Sequence, residues 1–108
     1  MIAEHKTFYN LGSIERIPLG EGRTYRIEEA DIAVFRTRSG GIYATQAACP
    51  HKGGPLADGF VGPNTVICPL HSFKFNLANG QPIENPCQAL KVYTVQVNDD
   101  GDVLVALD

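Results

Sequence analysis

The sequence predicts an all-β protein of small antiparallel sheets, because short β-prone segments alternate with turn residues along most of its length. The chain of 108 residues contains 11 Gly and 7 Pro, and few windows carry the spacing of an amphipathic helix. The dominant apolar period is two, as expected for strands with one buried face. Frequent short strands of this kind are typical of a small sandwich or barrel.

The clearest predicted hairpin lies near the C-terminal end of the sequence. Residues 92–97 alternate apolar and polar side chains, and residues 103–107 are again apolar. Between them stands Asn98-Asp99-Asp100-Gly101, whose Asp-Gly pair favours a tight hairpin turn.

A second hairpin is predicted from residues 32–35 and 42–45, which are separated by Ser39-Gly40-Gly41. Weaker strands are expected at residues 7–10, 24–27 and 65–67. Residues 13–17 are expected to form one helical turn, with Ser13 as its N-cap and Pro18 as its end.

Length and composition predict one globular domain, residues 1–108, with 44% apolar residues and a net charge of −3. This charge does not indicate a nucleic-acid partner. No segment approaches the roughly 18 apolar residues of a membrane span, and the first residues lack the apolar run of a signal peptide. We therefore expect a cytoplasmic protein with no membrane partner.

Two short segments carry the chemistry: Cys49-Pro50-His51 and Cys68-Pro69-Leu70-His71. Each offers one thiolate and one imidazole, and the joint pattern C-x-H-x₁₆-C-x-x-H provides four metal ligands. Residues 46–79 therefore read as an inserted cluster-binding subdomain with two loops, and residues 1–45 and 80–108 as the base that holds it. Gly53 and Gly54 would let the backbone turn sharply beside a metal cluster, so that its N–H groups could donate to sulfur atoms of the cluster.

Other uses of these ligands remain open from the pattern alone. Four Cys and His ligands also suit a structural zinc site, although zinc sites more often pair like with like. A nucleophilic Cys with a His base would not explain the second pair, and a Cys49–Cys68 disulfide would leave both His unexplained. Cys87 has no His at ligand spacing, and we interpret it as a buried, apolar thiol.

The segments 49–56 and 68–75 resemble the two cluster-binding boxes of Rieske proteins, and the likeness extends to the turn at Gly80 and to residues 89–95. The resemblance implies the Rieske iron–sulfur protein fold, with three small antiparallel sheets and a [2Fe–2S] cluster at one exposed tip. In this family two His replace two Cys on one iron. It assigns Cys49 and Cys68 to one iron, and His51 and His71 to the other.

The resemblance also implies a function. The segments resemble those of two groups of Rieske proteins: the ferredoxins of ring-hydroxylating oxygenases and the small subunits of assimilatory nitrite reductases. We therefore expect a one-electron carrier between an NAD(P)H-dependent reductase and an oxygenase or a nitrite reductase. The chain is too short for a second, mononuclear iron site, so it is not expected to be an enzyme. A redox-sensing module is the alternative.

Four positions depart from the respiratory members of the family. Those proteins carry a disulfide where this chain has Gly54 and Leu70, and hydroxyl donors where it has Phe73 and Phe75. Fewer donors destabilise the more negative, reduced cluster. The sequence therefore predicts a reduction potential toward the lower end of the class range of about −150 to +300 mV.

Overall fold

The computed structural model describes residues 7–50, 53–70, 73–84 and 87–107. Within them the chain forms ten strands and two short 3₁₀ turns, Ile14–Arg16 and Leu56–Asp58. The strands are β1 Phe8–Ser13, β2 Glu21–Ile27, β3 Ala30–Arg36, β4 Ile42–Gln46, β5 Phe60–Val61, β6 Thr65–Ile67, β7 Lys74–Asn76, β8 Pro82–Ile83, β9 Val92–Val97 and β10 Asp102–Ala106.

The strands form two antiparallel sheets. The first has six strands in the order β1-β10-β9-β4-β3-β2, and the second has four in the order β5-β6-β7-β8. The expected all-β fold is confirmed. Of the three sheets expected, two are continuous here, because β9 pairs with β10 on one side and with β4 on the other.

Both predicted hairpins are present. β3 pairs with β4, and β9 with β10 across a turn in which the Asn98 side chain accepts hydrogen bonds from the N–H groups of Asp100 and Asp102. Gly101 follows in the left-handed region, with φ of 81°. The sequence placed Leu107 in the last strand, but β10 ends at Ala106.

The weaker strands also form, as parts of β1 and β2 and as β6, although Thr7 lies before the start of β1. The predicted helical turn is a 3₁₀ turn, Ile14–Arg16, and the Ser13 hydroxyl accepts a hydrogen bond from the Glu15 N–H as its N-cap. Arg36 fixes this turn to β3, because its guanidinium donates to the carbonyls of Ile14 and Ile17.

Strand β3 is buried on both faces, which explains its unbroken apolar sequence. Ile32 and Val34 point into a core enclosed by the six-stranded sheet. Ala33 and Phe35 point the other way, into a second core. Full burial of a side chain the size of Ile32, Val34 or Phe35 contributes about 1.5–3 kcal/mol to the stability of the fold. Strand β3 therefore stabilises both cores.

The second core is the layer on which the four-stranded sheet rests. Val66 of β6 and Phe75 of β7 are fully buried in it, beside Leu56 and Leu90. Cys49 and Cys68 belong to the same core. The packing of the second sheet on β3 therefore determines where the two ligand segments meet. The predicted division into a base and a subdomain at residues 46–79 stays a prediction.

Candidate metal centre

The first ligand segment is a loop closed by its own backbone. The Cys49 N–H donates to the Gly54 carbonyl at 2.8 Å, and the Gly53 N–H donates to the Cys49 carbonyl at 2.7 Å. A bridge between Ala48 and Pro55 closes the base of the loop. Gly53 has a φ angle of +74°, which residues with a side chain rarely adopt. The predicted sharp turn is therefore confirmed. The Gly53 N–H donates to the Cys49 carbonyl within the loop, so this group is not the donor to a cluster sulfur that the sequence predicted.

The second ligand segment is the loop of the β6–β7 hairpin. Ile67 pairs with Lys74, and the Cys68 N–H donates to the Phe73 carbonyl at 2.7 Å. The chain therefore leaves the sheet after Ile67 and re-enters it at the paired residue, Lys74. The position of Cys68 is set by the hairpin register, not by the loop itself.

The thiols of Cys49 and Cys68 meet between the two loops. Their residues are 2% and 1% exposed, and the Cys49 thiol is close enough to raise the pKa of the Cys68 thiol. All three cysteines of the chain are described, and none is in a disulfide. The structure thus brings together two of the four predicted ligands. His51 and His71 lie outside the described residues.

Burial raises the pKa of the Cys68 thiol above its ordinary value. A hydrogen bond from the Leu70 backbone opposes this rise by favouring the thiolate, while Cys49 and Cys87 raise the pKa further. Ionisation of both thiols would place two negative charges side by side in a buried site, which is energetically unfavourable. A cation that binds both would compensate their charge, and its binding would release their protons.

The two loops pack tightly at Gly54 and Leu70. A Cβ atom at Gly54 would lie 3.0 Å from the Leu70 side chain and 3.2 Å from the Cys68 sulfur. These are the two positions at which the respiratory proteins were said to carry their disulfide. In this chain a small residue and a large apolar one fill the same contact without a covalent bond.

Cys87 is closer to the site than its sequence indicated. It is half-buried, packs against the core that contains both other cysteines, and raises the pKa of Cys68 electrostatically. The apolar packing predicted for Cys87 agrees with these contacts, but the prediction that it is buried is wrong, because the residue is only partly buried. Its proximity had no local sequence signal, since no ligand pattern surrounds it. Phe73 and Phe75 contact the same core, Phe75 being fully buried.

Two buried thiols, held between two loops of an all-β domain, are suited to ligate a metal through their thiolates. The chain belongs to the Rieske [2Fe-2S] domain family, whose model matches residues 7–94. Its cofactor is therefore a Rieske-type [2Fe–2S] cluster and not zinc. The residues described fit this cofactor, because a Rieske cluster takes two thiolates on one iron and Cys49 and Cys68 are adjacent, free and shielded from water.

Three known proteins illustrate the likeness. The biphenyl dioxygenase ferredoxin subunit of Pseudomonas sp. (strain KKS102) is 33% identical over 101 residues, 92% of this chain and 91% of that protein. The ferredoxin in a complex of reduced oxygenase and oxidized ferredoxin of carbazole 1,9a-dioxygenase is 31% identical and has a TM-score of 0.79, with 91% of this chain and 100% of that chain covered. A protein assigned as an NADH-dependent nitrite reductase small subunit, from Mycobacterium tuberculosis, has a TM-score of 0.89 and covers 97% of this chain and 98% of its own. Its 22% identity shows the fold alone.

No helix within the described parts of the chain is long and apolar enough to cross a membrane.

Proposed function

We propose that this chain is a ferredoxin, a one-electron carrier that delivers electrons from an NAD(P)H-dependent reductase to a ring-hydroxylating oxygenase. The observation that carries the proposal is the pair of buried thiols, Cys49 and Cys68, in a member of the Rieske family. The chain acts as an electron-transfer component and not as a catalytic subunit. Its relatives of 33% and 31% identity support this role, because both are ferredoxins of dioxygenase systems.

We further propose that Cys49, His51, Cys68 and His71 hold the cluster, with the thiolates on one iron and the imidazoles on the other. The proximity of the two thiols supports the sulfur half of this assignment. The C-x-H and C-x-x-H spacing supports the nitrogen half, since each His follows its Cys within the same loop. When bound, the cluster supplies reversible one-electron redox chemistry.

The protein residues around the site have distinct tasks. Phe75, Leu56 and Leu90 fill the core below the thiols and keep water from that side. The Leu70 backbone hydrogen bond favours the ionised form of Cys68, the form that binds metal. The backbone bonds between Cys49, Gly53 and Gly54 hold the first loop in shape. This preformed frame limits rearrangement when an electron arrives or leaves.

A nitrite reductase is the second candidate acceptor. The likeness of residues 49–56 and of the strand at residues 32–35 to nitrite reductase small subunits favours it. The overlap with the Mycobacterium tuberculosis protein, at a TM-score of 0.89, shows that the two share a fold. The two acceptors are separated by adding each purified enzyme to the reduced protein and following reoxidation of the cluster. Electron transfer to the oxygenase component of a biphenyl dioxygenase system, and not to an NADH-dependent nitrite reductase, is the expected result. Transfer to neither would favour a redox-sensing module.

The ligand assignment is tested by spectroscopy of single variants. The purified wild type should be coloured and should give a Rieske EPR signal after dithionite. Cys49→Ala and His51→Ala should each abolish that signal. The third cysteine and the third histidine provide matched controls, because Cys87→Ala and His5→Ala should keep it. A colourless wild-type protein that contains zinc would contradict the proposal, as would loss of the signal in both controls.

We also propose a low reduction potential and a cytoplasmic location. Apolar Leu70, Phe73 and Phe75 beside the thiols support the first, because they offer no hydroxyl donors. Three free cysteines, two of them buried metal ligands in our assignment, support the second, since reducing compartments keep thiols unpaired. Protein-film voltammetry should give a value in the lower half of the class range of about −150 to +300 mV.

A further inference from the structure

The outer face of the four-stranded sheet carries a continuous row of side chains. Phe60 pairs with Ile67, Ile67 with Lys74, and Lys74 with Ile83. Directly paired residues project to the same face of a sheet, so these four side chains stand side by side. We name Phe60, Ile67, Lys74 and Ile83 the outer row.

The adjacent row, one residue along each strand, faces the other way. It includes Val66 and Phe75, both fully buried against β3. The outer row is consequently turned to the solvent side of the sheet. Phe60 is 77% exposed, far more than any other large apolar residue among those described. An exposed aromatic ring beside an isoleucine, here Phe60 beside Ile67, is typical of a protein-binding surface.

The outer row lies next to the metal centre. Ile67 and Lys74 form the last rung of the hairpin before the loop at residues 68–73, which begins with Cys68. Leu70 in this loop is also exposed, at 43%. A protein that covers the outer row would therefore touch the loop of Cys68. That position suits electron transfer, which weakens steeply with distance.

We propose that the outer row is a docking surface for the protein that accepts the electron. This inference rests on the proposed function. The partner would offer an apolar depression for the Phe60 ring and basic groups for Asp58 and Glu84, two exposed carboxylates that adjoin the ends of the row. Apolar side chains bordered by charged ones are common in protein interfaces. The net charge of −3 attracts a basic partner surface from a distance.

A second copy of this chain fits the outer row less well. In a two-fold pairing centred on the row, the Lys74 ammonium of one copy would face Ile67 of the other. Such a pairing would offer Lys74 no complementary charge across the interface. The two copies would also place their own acidic rims close together, because both carry the same carboxylates.

The experiment compares Phe60→Ala with a matched control, Val97→Ala. Val97 is also an exposed apolar residue, but it lies in the six-stranded sheet, at the end of β9 that does not pair with β4. Stopped-flow absorbance follows oxidation of each dithionite-reduced protein at sub-saturating acceptor. The acceptors are the oxygenase component of a biphenyl dioxygenase system, an NADH-dependent nitrite reductase and, as a small oxidant that needs no docking, ferricyanide. We expect Phe60→Ala to slow oxidation by the acceptor enzyme about tenfold. Val97→Ala should leave this rate unchanged, and all three proteins should react equally with ferricyanide.

Equal rates for Phe60→Ala and wild type with an enzyme that oxidises the wild type would overturn the proposal. So would sedimentation of the wild type as a dimer that Phe60→Ala dissociates without changing the acceptor rate, because the occupant is then a second copy. If ferricyanide oxidises the reduced wild-type protein but neither enzyme does, the proposed function is refuted. The proposed docking surface is then refuted as well, because it rests on that function.

Discussion

Gly80 is a position where a single methyl group should disturb the core beneath the thiols. It ends the turn after β7 with φ of +78°, and its N–H donates to the Asn76 carbonyl at 2.7 Å. The Leu90 N–H donates to the Gly80 carbonyl at 2.8 Å. A Cβ atom at Gly80 would lie only 2.2 Å from the Leu90 carbonyl oxygen.

The cost of Gly80→Ala has two parts. A left-handed conformation costs a residue with a side chain about 1–2 kcal/mol. The contact must also be relieved, and real Cβ atoms essentially never approach another atom within 3.0 Å, so the Leu90 backbone must move by at least about 0.8 Å. This movement weakens one hydrogen bond and displaces a buried leucine, for about 2–3 kcal/mol more. We expect a total loss of about 3–5 kcal/mol in the free energy of unfolding.

Gly40→Ala separates the two parts. Gly40 also has a positive φ, +95°, but no atom lies within 4 Å of a Cβ placed there. This variant should lose only the conformational part, about 1–2 kcal/mol. Urea unfolding of the wild type and both variants, followed by circular dichroism, measures the difference. Equal losses for the two variants would show that the Leu90 contact is absent and would refute the reasoning.

Three other predictions concern the core, the cluster and the surface. Phe35→Ala should lower the free energy of unfolding by about 3–5 kcal/mol in urea, because Phe35 is fully buried between the two sheets. Phe75→Tyr should raise the reduction potential by about 40 mV in a redox titration, the equivalent of one net hydrogen bond of about 1 kcal/mol, if its hydroxyl reaches a sulfur; an unchanged potential would place the hydroxyl elsewhere. Tyr9→Phe should lower the urea midpoint at neutral pH, since the Tyr9 hydroxyl donates to Glu28 and this hydrogen bond raises the pKa of Tyr9. A raised pKa means that the stabilisation is complete below the unfolded value of about 10 and is lost as pH rises through the folded value, so the two midpoints should converge at high pH.

Local chemistry explains why the hairpins were predictable. In the β9–β10 turn, the Asn98 side chain binds the N–H groups of Asp100 and Asp102, and Gly101 takes the left-handed conformation. All of these groups lie within five consecutive residues. The Ser13 cap is equally local, because its hydroxyl binds the Glu15 N–H two residues later.

Strand pairing between segments that are distant in the sequence was harder to predict. The family resemblance implied three sheets, yet β9 joins two of them by pairing with β4 at only two positions, Ala44 with Tyr93 and Thr45 with Val92. No pattern in either strand specifies so short a contact. It follows from the way the cores on both sides of β3 bring β4 and β9 together.

The sequence by itself determined the all-β class, the two hairpin turns and the paired Cys and His segments, because each depends on residues only a few positions apart. The tertiary structure alone decided that Gly54 packs against Leu70, and that Cys87 joins the core of Cys49 and Cys68. It also decided that Phe60 faces solvent, since the register with Ile67 sets its face. The physical reason is that burial and pairing between distant residues are properties of the packed chain, and no single segment encodes them.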